Sequence, residues 1–83
     1  MTRADLRQII VDEIGAIAPE ADLASVDDGE DLREAIDLDS MDIFNLVVAL
    51  SRRLGFDIPD ADAGQLVTLG GAIEYLGQRL EAR

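Results

Sequence analysis

The run Leu38-Asp39-Ser40-Met41-Asp42 sets a serine hydroxyl between two carboxylates where a helix is about to begin. A serine there can act as a nucleophile, cap the helix or accept a covalent group. Nucleophilic use needs a neighbouring base. The chain has no histidine, and no lysine lies near Ser40, so no catalytic role is expected. Helix capping is the ordinary use of such a serine, and modification is the third. The acids do not read as a calcium loop either. With Gly29 as the sixth loop residue, positions one and twelve would be Ala24 and Ala35, where acids are required. Only weak divalent binding to an acidic surface is expected, with no specific metal site.

The helix that must position Ser40 carries two apolar stripes. Taking Ser40 as zero and advancing about 100° per residue, Leu46, Leu50, Ile43, Leu54 and Val47 fall between roughly 240° and 340°, one normal buried face. Phe44, Val48 and Met41 fall at roughly 40°, 80° and 100°, on a separate arc shared with Asn45 and Arg52. A domain this small has little left to bury a second stripe against, so that stripe is a candidate partner surface. The plainer alternative is that Met41 and Phe44 tuck beneath the preceding loop.

Eighty-three residues with 48% hydrophobic content make one small domain, here taken as 1–83. Its stability should be modest, roughly 4 to 12 kcal/mol. There is no cysteine, which removes disulfides, thiolate chemistry and sulfur-ligated metals and fits a reducing compartment. The amino terminus shows no apolar run of signal-peptide type, and no stretch reaches membrane-spanning length. A soluble, cytoplasmic monomer is expected. The formal net charge is −11, and it is concentrated: from Glu20 to Asp42 ten acids face Arg33 alone, a net −9. Such a field repels nucleic acid and anionic membranes and draws basic partners at low salt.

Four helices and no strand are predicted, a small all-α four-helix bundle of three main helices and one short one, with a long loop between the first and second. Thr2 caps the first helix with Asp5 at its third position; Leu6, Ile10, Ile14 and Ile17 form its core stripe before Pro19 ends it. A loop of about twenty residues in a compact domain must be pinned or functional, and Val26, Leu32, Ile36 and Leu38 are its expected inward anchors. The second helix starts near Asp39 or Ser40 and stops near Gly55. A short third helix spans Asp60 to Leu66, although Gly64 weakens it. Thr68 caps a fourth containing Leu69, Ala72, Ile73, Leu76 and Leu80, where Gly70-Gly71 should cost propensity.

These residues together resemble the acyl carrier protein family. The resemblance is carried by Leu38-Asp39-Ser40-Met41-Asp42, Leu46-Val47-Val48-Ala49-Leu50, the Ile58-Pro59-Asp60 turn, and Thr68-Leu69 leading to Ala72-Ile73-Glu74-Tyr75-Leu76. It covers nearly the whole chain in order and spacing. It implies that Ser40 carries 4′-phosphopantetheine, attached from coenzyme A by a phosphopantetheinyl transferase, with cargo held as a thioester on the arm's thiol. It implies further that Asp39 helps the transferase hold its metal ion. Met41, Phe44 and Val48 would meet partner enzymes, with acids such as Asp42 steering the approach, and Ile58, Leu66, Ala72, Tyr75 and Leu76 would line or close the interior. A phosphodiester on Ser40 agrees with the physics, since unpaired N–H groups and the positive dipole end favour an anion at a helix start.

The chain departs from the family at Asn45, Ser51, Arg52 and Arg53, where many fatty-acid-synthesis carriers have further acids, and at Asp37, where glycine is common. Arg52 lies about 18 Å along the helix from Ser40, beyond a screening length of about 8 Å, so it can reshape a docking footprint without tuning the serine. The expectation is a free-standing carrier of an acyl or aminoacyl group in a dedicated pathway, such as a polyketide or peptide synthetase step. Its partners would be a transferase, a loading enzyme and a downstream synthase or transferase. The alternatives are a general fatty-acid-synthesis carrier and an acidic helical adaptor without a prosthetic group.

Overall fold

The computed structural model describes residues 1–81. Its elements are α1 (Arg3–Ile17), a 3₁₀ turn (Leu23–Ser25), the one-turn helix α2 (Leu32–Ala35), α3 (Ser40–Leu54), a 3₁₀ helix (Asp60–Leu66) and α4 (Leu69–Glu81), with no strand among the described residues. The fold is the expected all-helical bundle. The first, second and fourth predicted helices are α1, α3 and α4.

Local chemistry sets the ends. Thr2 accepts from the Asp5 N–H at 3.1 Å while Asp5 accepts from the Thr2 N–H at 3.1 Å, so two otherwise orphaned donors satisfy each other at the start of α1. Gly55 adopts the left-handed conformation, φ 78°, that stops α3 without steric cost. Thr68 Oγ1 accepts from the Gly71 N–H at 2.9 Å at the start of α4.

The core is one apolar cluster in which α1 packs on α3 and α4, and the 3₁₀ helix packs on α3 and α4. Leu6, Ile10 and Ile14 of α1 are buried as expected, joined by Ile9, while Ile17 is only partly buried. The whole expected stripe of α3, Ile43, Leu46, Val47, Leu50 and Leu54, is buried. Ile58, Leu66, Ala72, Tyr75 and Leu76 are buried as well. Truncating a fully buried leucine of this set would cost about 2–5 kcal/mol.

Two segments differ from the sequence expectation. The acidic stretch before α3 contains short helical turns where only a loop was expected. Leu32 and Leu38 anchor it in the core with Val26 and Ile36 packed alongside, and burying Leu32 brings the flanking backbone into one helical turn whose start is capped by Asp31. Backbone bonds tie the stretch to the region before α4: Leu32 N–H donates to Val67 O at 2.7 Å and Gly70 N–H to Asp28 O at 2.9 Å. The predicted third helix has the expected span but takes 3₁₀ form. Tighter winding aligns residues three apart, and here it directs both Ala63 and Leu66 toward the core.

The Gly70-Gly71 pair, which looked like a propensity cost, is a packing requirement. A Cβ at Gly71 would lie 2.7 Å from Thr68 Oγ1 and 2.9 Å from Gln65 O, and one at Gly70 would lie 3.2 Å from Asp28 O. Gly70 therefore admits the close approach of the acidic stretch to α4, and Gly71 that of Thr68 and the end of the 3₁₀ helix.

Candidate functional site

Ser40 is the first residue of α3, and Asp39 is its cap. Asp39 Oδ1 accepts from the Asp42 N–H at 2.9 Å, and Asp42 Oδ2 accepts from the Asp39 N–H at 3.2 Å. This reciprocal box answers the plainer reading of Ser40, because capping is performed by the neighbouring aspartate. The serine is exposed, and its hydroxyl has no hydrogen-bond partner among the described residues. Asp42, expected only as part of an acidic docking surface, is half-buried and closes the box. Asp39 keeps Oδ2 uncommitted among the described residues.

Beside Ser40 an apolar cleft of about 290 Å³ opens between α3 and the 3₁₀ helix. Ile43, Phe44 and Val47 of α3 line it together with Ala63, Gly64 and Val67; its polar members are Ser40, Asp60 and Arg33. An anionic arm on Ser40 fits this setting on two counts. The first-turn N–H groups of a helix and its positive dipole end favour the phosphate, and an apolar wall adjoins the hydroxyl from which an arm would extend.

The second stripe of α3 is exposed rather than tucked under the loop. Met41 is 63% and Phe44 49% exposed, while Val48 is half-buried and Asn45 exposed. Arg52 is exposed and, among the described residues, is the one arginine that makes no ion pair. Arg53, the neighbouring departure from the family pattern, is exposed too but paired. Its guanidinium reaches Glu13 at 2.9 Å and Asp12 at 3.4 Å on α1, because its place on the helix, roughly 100° beyond that of Arg52, turns it toward α1.

The charge of the acidic stretch is partly neutralised. Arg7 pairs with Asp28 and Arg33 with Asp31, and the Arg7 hydrogen bond holds the Asp28 carboxyl below its ordinary value, as the Arg33 hydrogen bond does for Asp31. No group of three or more acids among the described residues is arranged to hold a metal ion. Asp37 sits at φ 61°, a left-handed conformation that suits the glycine common at this position in the family.

A feature that sequence reasoning missed joins the 3₁₀ helix to α4. Tyr75, expected to line or close the interior, donates to Asp62 Oδ2 at 2.6 Å, and burial pushes its phenol up. Arg79 donates to the Tyr75 hydroxyl at 2.9 Å and to Asp57 O at 2.9 Å, and its guanidinium lies 5.2 Å from the Phe56 ring centre. The group latches the 3₁₀ helix and its preceding loop to α4. Residues 79 and 75 stand one helical turn apart, which was readable; their reach to 62 and 57 was not.

Fold and site together define a small helical bundle that presents an uncommitted hydroxyl at a helix start beside an apolar cleft. Residues 4–76 match the family described as the phosphopantetheine attachment site. The acyl carrier protein of Chlamydia muridarum is 35% identical over 75 residues, which cover 90% of this chain and 91% of the relative. The acyl carrier protein of Chlamydia caviae is 32% identical over 75 residues with the same coverage, and that of Chlamydia trachomatis serovar D is 35% identical over 75 residues. The chain belongs to the acyl carrier protein family, whose attachment domain takes 4′-phosphopantetheine and whose role is to carry, not to catalyse. No helix among the described residues is long and apolar enough to cross a membrane.

Proposed function

We propose that residues 1–83 act as one carrier domain in which Ser40 holds 4′-phosphopantetheine, and that the cargo is an acyl or aminoacyl group of a dedicated, secondary-metabolic pathway. The observation that carries the attachment site is the Asp39–Asp42 capping box, which leaves the neighbouring Ser40 hydroxyl exposed. In the transfer, Ser40 Oγ forms a new ester bond to the pantetheine-bearing phosphorus of the coenzyme A diphosphate as that phosphorus loses its bond to the bridging oxygen, which leaves with adenosine 3′,5′-bisphosphate, and the hydroxyl proton passes to a base on the transferase. The carrier needs no base of its own. Asp39, with Oδ2 uncommitted, supports this step by helping the transferase hold its metal ion.

Met41, Phe44 and Val48, flanked by Asp42, Asn45 and Arg52, form the surface offered to the transferase, the loading enzyme and the downstream synthase or transferase. Support for a dedicated pathway comes from Asn45 and Arg52 on that surface. An unpaired cation there opposes the basic patches that an acidic helix attracts, so partners with a matching acid are favoured. The domain works as a monomer in the cytoplasm.

Incubation with coenzyme A, magnesium and a broad-specificity phosphopantetheinyl transferase should add one phosphopantetheine by intact mass. Ser40→Ala should abolish the addition while leaving the helical spectrum unchanged. Addition at another serine, or none with several transferases, would overturn the assignment of Ser40.

A further inference from the structure

The stretch from Glu20 to Asp42 carries ten acids and one base, Arg33. That base lines the same cleft as Ser40. Its chain position, seven residues before the serine and across the turn at Asp37, gave no sign of this. Leu32 and Leu38, on either side of Arg33 in the chain, are both buried in the core.

Arg33 is also held in orientation. Its Nε donates to Asp31 Oδ1 at 3.0 Å and its Nη2 to Asp31 Oδ2 at 2.6 Å, while its backbone N–H donates to Oδ1 at 2.9 Å. A two-point pair fixes the plane of a guanidinium and leaves donors on its other side. Nη1 has no partner among the described residues. Asp31 therefore anchors the side chain without exhausting it.

A phosphodiester on Ser40 would add a permanent negative charge close in sequence to Asp37, Asp39 and Asp42. The helix start offsets this in part, and of the residues lining the cleft only Arg33 is a cation. Resting on the attachment at Ser40, we propose that Arg33 is a positioning residue for the prosthetic arm. Its Nη1 donates to a non-bridging oxygen of the phosphodiester and lays the arm along the apolar cleft formed by Phe44, Val47 and Ala63. Asp31 serves as the brace that keeps the guanidinium turned toward the serine.

The test uses the full chain, isotopically labelled, in apo form and after loading with completeness checked by intact mass. The arginine side-chain NMR signals of Arg33 should move on loading at low salt and return toward their apo positions at high salt, while those of Arg7 and Arg53 stay put. Arg33→Gln should lower the ratio of docked to free arm by about 2- to 5-fold, the range of an exposed ion pair, read as a narrower phosphorus line and a phosphorus shift nearer that of free phosphopantetheine. Arg33→Lys, which keeps the charge and loses the two-point brace, should fall between. If Arg33→Gln perturbs α2, the wild-type apo-to-loaded comparison still decides. A fully loaded protein whose Arg33 signals do not move overturns this inference and leaves the attachment intact; failure to load at Ser40 overturns both.

Discussion

Replacing Phe44 with alanine tests whether it serves docking or the core, with Leu46→Ala as its internal standard two positions away. Leu46 is completely buried, so its truncation should cost about 2–5 kcal/mol, transfer and cavity terms together. Phe44 is 49% exposed, so it realises only about half of the roughly 1.5–3 kcal/mol that full burial of a phenylalanine supplies. Its loss should cost about 1 kcal/mol. For a domain of this length each kcal/mol moves the melting midpoint by about 4–8 °C. Phe44→Ala should therefore melt about 4–8 °C below wild type, and Leu46→Ala at least twice as far below. Binding should reverse the order. A solvent-facing aromatic used at the centre of an interface contributes about 1–2 kcal/mol or more, so kcat/KM for phosphopantetheine transfer to Phe44→Ala should drop roughly 5- to 30-fold. Leu46→Ala, assayed where it remains folded, should retain most of it. Thermal circular dichroism and transferase kinetics on the two variants decide the matter. If Phe44→Ala melts as low as Leu46→Ala while transfer to its folded fraction is unchanged, the stripe is core and the docking surface lies elsewhere.

Arg52→Glu should leave stability unchanged and improve recognition by general fatty-acid-synthesis enzymes at the expense of the native loading enzyme. Arg53→Gln should do the opposite, lowering the melting temperature slightly through its lost pairs with Glu13 and Asp12 and leaving partner choice alone; identical kinetic effects of the two would refute the assignment. Asp37→Gly should raise stability by about 0.5 kcal/mol, since relief of the left-handed residue is partly offset by glycine's greater freedom when unfolded, whereas Asp37→Val should melt earlier; a stabilising valine would refute the backbone reading. The Asp28 carboxyl is held low by Arg7, so its contribution is fully present above the ordinary carboxylate value of about 4 and lost as pH falls through the lower folded value. The gap in melting temperature between wild type and Arg7→Gln should accordingly be constant at neutral pH and close below about pH 4; a gap that persists in strong acid would show that Arg7 acts by packing.

The ends of α1 and α3, the buried stripe of α3 and its exposed counterpart were legible in residue order because each is decided within a few residues. Thr2 with Asp5 and Asp39 with Asp42 are boxes three residues apart, Gly55 is a local stop, and the sorting of Ile43, Leu46, Val47 and Leu50 from Met41, Phe44 and Val48 follows from the helical period alone. The freedom of the Ser40 hydroxyl is local in the same way, since the neighbouring Asp39 takes the capping role. Other features depended on what the chain meets across space. Only packing against α1 turned Arg53 into a tie to Glu13 and Asp12 and left Arg52 unpaired, although the two are adjacent in sequence. Only the approach of Asp28 and Gln65 to α4 made Gly70 and Gly71 necessary, reversing the sign that helix propensity assigned to them. Burial of Leu32 folded an apparently structureless acidic stretch into a turn of helix and brought its single arginine to the cleft beside Ser40. Caps and periodicity act between residues joined by a few bonds, whereas the partner of a charge and the clearance of a glycine are set by surfaces that come together only when the core closes.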